Sequence, residues 1–395
     1  MRYFAIALLL VLVFNSGYSQ RPIHEYTSVV QRGKSPVEFV NNMLGQKDLV
    51  VFDDALHSAD EPFRFYIDLV QDKKFRDYSP TIFIEVLSIA AQPHINRFLQ
   101  SPVKDSTLLM KVFQDDFSGY GWRYQTCLDL LAAVWDANRE LPDGKKIEVV
   151  GVDQPIYWEG IHTRQDYDIF QQSLAARDYF MYKVIAAGMK DFKSSKKGIF
   201  LTNTRHAYKA IRHADGRLYW NAATFLHQYH PRKIYSVRMH NVSLYIEKQL
   251  NDQKSRTTEG LDRVSYRWVL IDGGKWDSAF SQAGNRPVAF PIKGNVFGNT
   301  PYVGNHMLDV QKGQTMQEAY DAVIFLKPIA ELHSSAIMNY FYTPVFKPEL
   351  QRRILLLHNN DSTEAMKSAG VPTMDSLIRK ITSPEPRRLS NLLRE

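Results

Sequence analysis

The apolar positions of this chain fall into two patterns. Short continuous runs read as strands at 49–53, 81–86, 147–152, 198–202, 233–239, 268–271 and 322–326, because a run without polar alternation suits a strand covered on both faces. Between several of them the spacing becomes three and four residues. Tyr124, Leu128, Leu131, Trp135 and Asn138 form one such stripe, and Phe170, Leu174, Met181, Val184 and Gly188 form another. Strands alternating with helices predict an α/β fold, a three-layer αβα arrangement with a mostly parallel central sheet and a helical elaboration. One α/β domain is expected over 46–345. A polar lead-in at 20–45 precedes it, and a C-terminal helix with a tail over 346–395 follows. The Pro- and Ser-containing end from Ser383 is expected to fray.

The rhythm breaks over 272–313, where seven of the chain's 20 glycines fall among Trp276, Phe280, Phe290 and Phe297. A long Gly-rich segment inside a domain is usually a functional loop or a disordered one. The aromatics favour a loop that packs over something, such as a lid.

Arg2, the apolar run Ala5 to Phe14 and the small-residue stretch Ser16-Gly17-Tyr18-Ser19 have the layout of a secretory signal peptide over 1–19, cut near Ser19. The expected location is the periplasm or the cell exterior. The apolar run is too short to span a bilayer, and no later segment is apolar enough, so no membrane span is expected. Cys127 is the only cysteine, which excludes an internal disulfide and a cysteine-based metal cluster. The net charge of +7 comes without a basic run or an arginine-aromatic repeat. It therefore reads as solubility rather than nucleic-acid recognition, and leaves a small-molecule substrate as the expected partner.

Four of the strands end in polar residues. "DLVVFDDALHS" runs into Asp54 and His57, "TIFIEV" carries Glu85, "IEVVGVDQP" ends at Asp153, and "GIFLTNTRH" ends at Asn203 and His206. If these strands are parallel, all four ends lie on one edge of the sheet, where open α/β sheets bind ligands. Each residue alone has an ordinary explanation: Asp153 could cap a turn before Pro155, and His57 could be a helix-cap or core histidine. Glu85 is harder to dismiss, since a carboxylate in a covered strand is costly unless paired. Arg177 falls between Leu174 and Met181 on an apolar helix stripe. It either snorkels outward or points to the same edge, pairing with Glu85 or Asp153. No G-x-S-x-G elbow, H-E-x-x-H or P-loop is present. Histidines and carboxylates remain, the inventory for activating water or holding a metal.

"FDDALHS" followed by "EP", then "IFIEV", "VVGVD", "SLAARDYFMYKVI" and "IFLTNTRHAY", occur in the order of motifs of erythromycin-esterase-like proteins and the related haem-binding ChaN-like superfamily. The chain resembles them over roughly Val50 to His206. The resemblance implies a water-activating role for His57 with its acid at Asp54, a strand glutamate at Glu85, an Arg-Asp pair at Arg177 and Asp178, and a later histidine at His206. Asp53-Asp54 stands where the family pattern has Gly-Glu, and Asn203-Thr204-Arg205-His206 where it has His-Asn-x-His.

The leading expectation is a secreted esterase-like hydrolase. His57 acts as general base on a water, Glu85 orients it, His206 and Arg177 stabilise the oxyanion, and Asp54, Asp153 and Asp178 support them. No cofactor is required by that scheme. Two alternatives stay open: a non-catalytic haem- or iron-binding protein of the ChaN-like kind, and a hydrolase using a divalent metal held by Asp54, His57, Glu85 and His206.

Overall fold

The computed structural model describes residues 22–248, 264–304, 309–338, 340–383 and 385–394. The segment 1–19, where a signal peptide is expected, lies outside the described residues. Nine strands are found among them: β1 Leu49–Asp53, β2 Thr81–Ser88, β3 Glu148–Asp153, β4 Gly198–Thr202, β5 Ile234–Met239, β6 Ser243–Lys248, β7 Val264–Val269, β8 Val288–Pro291 and β9 Ala322–Phe325. Seven of them form one sheet in the order β3-β2-β4-β1-β5-β9-β8, parallel except for β8 at one edge.

Helices cover both faces, and the pleat of β1 shows why its run is apolar throughout. Val50 and Phe52 enter a core with Phe63, Tyr66, Leu130 and Leu131, whereas Leu49 and Val51 enter a second with Met181, Ile185, Trp276 and Phe280. Each apolar side chain meets a helix layer whichever way it points. This is the three-layer αβα arrangement the pattern predicts.

Three expectations need correction, and the lead-in adds two helices to the fold. The run at 268–271 is not a strand of the central sheet: its first residues end β7, which pairs antiparallel with β6 in a separate two-stranded ribbon, and Ile271–Gly274 is a 3₁₀ turn. The aromatics of 272–313 do not form a lid. Trp276, Phe280, Phe290 and Phe297 are buried together in the second core, and β8 runs through the segment as the antiparallel edge strand. The lead-in is structured, with Tyr26, Val30, Phe39 and Leu44 buried on helices Ile23–Gln31 and Pro36–Leu44. Between them Lys34 pairs with Ala289 on the open side of β8, which covers an edge otherwise free to pair with another chain.

The C-terminal tail does not fray. After helices Phe346–Leu357, Ser362–Ala369 and Met374–Thr382, the 3₁₀ segment Leu389–Arg394 buries Leu389 and Leu392 against Ala59, Val242, Ile329 and Leu332. Leu389, Leu392 and Leu393 keep three- and four-residue spacing, but a single turn of it in a polar, proline-containing tail is too short to announce this docking. The docked segment lies behind the turn that carries His57, where Ser335 N donates to Ser58 O at 2.6 Å and Ala59 bridges to Ser334. Leu392→Ala is expected to lower unfolding free energy by about 2 kcal/mol, the low end for a buried leucine at the margin of a core. Denaturant unfolding checks this, and an unchanged midpoint would show the tail to be dispensable.

Candidate active site

Register places the polar residues together before any side chain is considered. Gly198 of β4 lies level with both Leu49 of β1 and Thr81 of β2, so Asp53 is level with Thr202 and Glu85 emerges beside the end of β4. β3 adjoins β2, bringing Asp153 to the same edge. Four neighbouring parallel strands thus end at one place.

Glu85 is the hub. Its Oε2 accepts from Asn203 N at 3.2 Å and from the Thr202 hydroxyl, and lies 3.0 Å from His57 Nε2. Its Oε1 accepts from Arg177 Nη2 at 3.0 Å and lies 3.3 Å from His206 Nε2. Burial alone would raise its pKa, but His206 and His57 outweigh that and hold it well below the usual carboxylate range. Glu85 is therefore a fixed anion and not a proton donor.

His57 is reached by a tight turn in which Ala55 adopts φ 63° and donates to Asp53 Oδ1 at 2.8 Å. Its Nδ1 is 2.7 Å from Asp54 Oδ2, and its Nε2 is 2.9 Å from Asn203 Nδ2 as well as 3.0 Å from Glu85. The imidazole has a partner in either charge state. Protonated, it donates to both carboxylates; neutral, it keeps Nδ1–H on Asp54 and accepts from Asn203. Burial opposes its protonation, yet Asp54 and Glu85 raise its pKa well above the ordinary imidazole value. Burial raises Asp54 to about 6 against the pull of His57, so the Asp54 carboxylate is still ionised at neutral pH.

His206 and Arg177 complete the network. His206, on the short helix Thr204–Ala207 capped by Asn203, places Nδ1 2.7 Å from Asp178 Oδ1 and Nε2 3.1 Å from Arg177 Nη1. Despite burial its pKa rises to about 9 under the influence of Glu85 and Asp178. Arg177 is buried: Nε and Nη2 donate to the two oxygens of Asp153 at 2.6 and 3.0 Å, and the guanidinium lies 4.6 Å from the Phe117 ring centre. It points inward because the single helix expected around it is two, Arg164–Ser173 and Arg177–Gly188, joined by the 3₁₀ turn Leu174–Ala176. Arg177 thereby opens the second helix on the same face as buried Met181. All three nitrogens of Arg177 and both of His206 face protein groups. These two residues are not poised as the oxyanion donors that sequence reasoning assigns; their geometry is that of anchors for Glu85 and Asp153.

His57, Glu85, Asp153, Arg177 and His206 line one cleft of about 260 Å³, with Asp54 and Asp178 behind the two histidines. Among the described residues, no group of three or more His, Cys, Asp or Glu is arranged to hold a metal ion, since the imidazoles and carboxylates are turned toward one another.

No family model and no curated protein matches the sequence. Solved structures do match. One described as a succinoglycan biosynthesis protein aligns with a TM-score of 0.51 at 9% identity, over 78% of this chain and 98% of that one. A Bacillus cereus protein aligns at 0.49 with 13% identity over 77% and 97%. An erythromycin esterase, EreC, in its open conformation, aligns at 0.47 with 12% identity over 75% and 97%. What is shared with the first is the fold.

Two parts of the cleft escape sequence reasoning. Asn203, noted there only as a strand end, contacts both His57 and Glu85. The roof is the loop "DFSGYGWRY", Asp116 to Tyr124, between helices Met110–Gln114 and Gln125–Glu140. Trp122 meets the His57 ring edge-on at 5.5 Å, and Phe117 covers Arg177. Asp116 Oδ1 holds the loop by accepting from Ser118 Oγ at 2.7 Å and Gly121 N at 3.0 Å. Gly121 has φ 79°, and a Cβ there would lie 2.5 Å from the Phe341 ring, so only glycine fits. Two glycines among four aromatics in nine residues were the available signal.

Proposed function

We propose that this chain is a hydrolase, acting in the periplasm or outside the cell on an ester or related carbonyl, in which His57 activates the attacking water. One observation carries the reading: an imidazole 13% exposed at the floor of a cleft, with Nδ1 held by a buried carboxylate and Nε2 beside an amide donor. In the neutral form, His57 Nε2 exchanges the hydrogen bond from Asn203 for one from a water, and takes its proton as the water oxygen adds to the carbonyl carbon. Asn203 Nδ2 is the group beside it that can donate to the developing oxyanion. Collapse of the tetrahedral species breaks the bond to the leaving oxygen, which recovers the proton from His57. Glu85 stays ionised and fixes the imidazole and the Asn203 backbone, while Arg177 and His206 hold Glu85.

The protonation state sets the pH dependence. Asp54 and Glu85 favour the imidazolium, so the basic form accumulates only as pH rises through a pKa well above the ordinary value near 6.5. The expected kcat/KM for a 4-nitrophenyl ester rises with pH along a limb displaced to the alkaline side. Asp54→Asn removes the larger of the two raising influences, and should move the limb to lower pH while lowering its plateau, because the Nδ1 proton loses its charged acceptor. A wild-type limb at or below pH 6.5, or an unmoved limb in Asp54→Asn, would remove His57 as the base. Absence of ester turnover at any pH would remove the hydrolase reading.

A further inference from the structure

The proposed hydrolysis leaves one charge in the cleft unused. His57 is matched by Asp54 and Glu85, His206 by Asp178 and Glu85, and Arg177 by Glu85 and Asp153. The carboxylates at the floor are thereby spoken for. Arg123, supplied by the roof loop, is different. It is half-buried, donates to the Tyr342 hydroxyl at 3.3 Å and lies 5.9 Å from the Tyr124 ring centre. Among the described residues no carboxylate lies within ion-pair distance of it. Arg205, on the short helix after β4, brings a second guanidinium to the lining of the same cleft. Phe117, Tyr120, Trp122 and Tyr124 give the roof flat faces around these cations, and its one carboxylate, Asp116, is engaged by Ser118 and Gly121 of its own loop.

A guanidinium beside one phenol ring and bonded to the hydroxyl of another, but lacking an anion, is a recognition element as much as a packing one. Its planar fork of donors matches a carboxylate in two parallel bonds, and partial burial strengthens that pairing relative to open water. We propose that the cleft takes a ligand bearing a carboxylate on or next to a flat aromatic or otherwise planar apolar group. The carboxylate lies on Arg123 with Arg205 adding positive potential, and the planar group lies against the aromatic roof. That this ligand is the substrate rests on the hydrolase reading; that the cleft binds it does not.

Calorimetric titration with 2-naphthoate and its neutral counterpart 2-naphthamide separates the two. Naphthoate is expected to bind ~10-fold or more tightly than the amide, as one charge-assisted pair in a partly desolvated site allows. Arg123→Met should erase that preference, and Arg123→Lys should keep part of it, since the charge remains while the fork is lost. Melting temperatures identify a variant that fails to fold, in which case Arg123→Lys and Arg205→Met, each expected to reduce the preference, carry the test. Equal affinity for acid and amide, no binding of either, or a preference unchanged in Arg123→Met would overturn the inference. Selective naphthoate binding by a protein that hydrolyses no ester would support the anion pocket and remove only the hydrolase reading.

Discussion

His57→Asn is expected to lower turnover of a 4-nitrophenyl ester by ~10²–10⁴-fold, the usual contribution of a positioned general base. Asparagine is the informative replacement because of what surrounds the imidazole. Asp54 is buried, its Oδ1 has no hydrogen-bond partner, and its Oδ2 has His57 at 2.7 Å. Alanine at position 57 would leave that carboxylate facing an empty space, and Glu85 would lose one of its two histidines. Leaving a buried charge unpaired costs ~3–5 kcal/mol, so alanine confounds lost chemistry with lost stability. Judged by sequence alone, where His57 is simply a residue on a turn after a strand, alanine would be a clean test; the structure shows that it is not. The asparagine amide can still donate toward Asp54 but cannot take a proton from water. Turnover measured by stopped-flow release of nitrophenolate, beside thermal unfolding of the same preparation, checks this. A folded asparagine variant with wild-type kcat would exclude His57 from the mechanism.

What the sequence disclosed about this site follows from simple physics. Continuous apolar runs such as Leu49 to Phe52 need cover on both faces, cover on both faces implies parallel strands, and parallel strands bring their polar ends to one edge. Glu85 was conspicuous because a lone carboxylate inside a buried strand demands partners, and five atoms around it supply them. The roof was not legible in the same way. Residues 116–124 follow neither the strand nor the helix period, and their role depends on where the ends of two helices hold them. The aromatics of 272–313 illustrate the converse: Trp276 and Phe297 are as apolar in a core as over a ligand, and composition cannot distinguish the two. The sequence leaves Arg177 free to snorkel outward or to point to the strand edge, because the 3₁₀ turn before it, with about 3.0 residues per turn instead of 3.6, changes the helix phase at a point that spacing alone does not mark.

Arg177→Met is expected to lower the unfolding free energy by ~3–5 kcal/mol at pH 7, the cost of removing one partner from a buried ion network. The guanidinium is shared by Asp153 and Glu85, both buried, and is within hydrogen-bonding distance of His206. Methionine fills much of the space of the arginine stem and contact with Phe117, so the loss reports charge rather than cavity. The sign of the pH dependence separates this from a packing defect. In the wild type Glu85 is held well below its ordinary pKa, so it contributes stability that is present above the unfolded value near 4.3 and is lost as pH falls through the folded one. In the variant, Asp153, whose pKa burial raises even beside Arg177, loses that cation while Glu85 keeps its two histidines, so protonation of Asp153 on acidification relieves much of the loss. The difference between wild type and variant should therefore shrink as pH falls from 7 toward 4, and Asp153→Asn in the Arg177→Met background should recover part of the loss, a departure from additivity expected for groups in contact. Denaturant unfolding across that pH range measures both. A loss below about 1 kcal/mol, or one of equal size at every pH, would mean that Arg177 does not hold the carboxylates of this cleft.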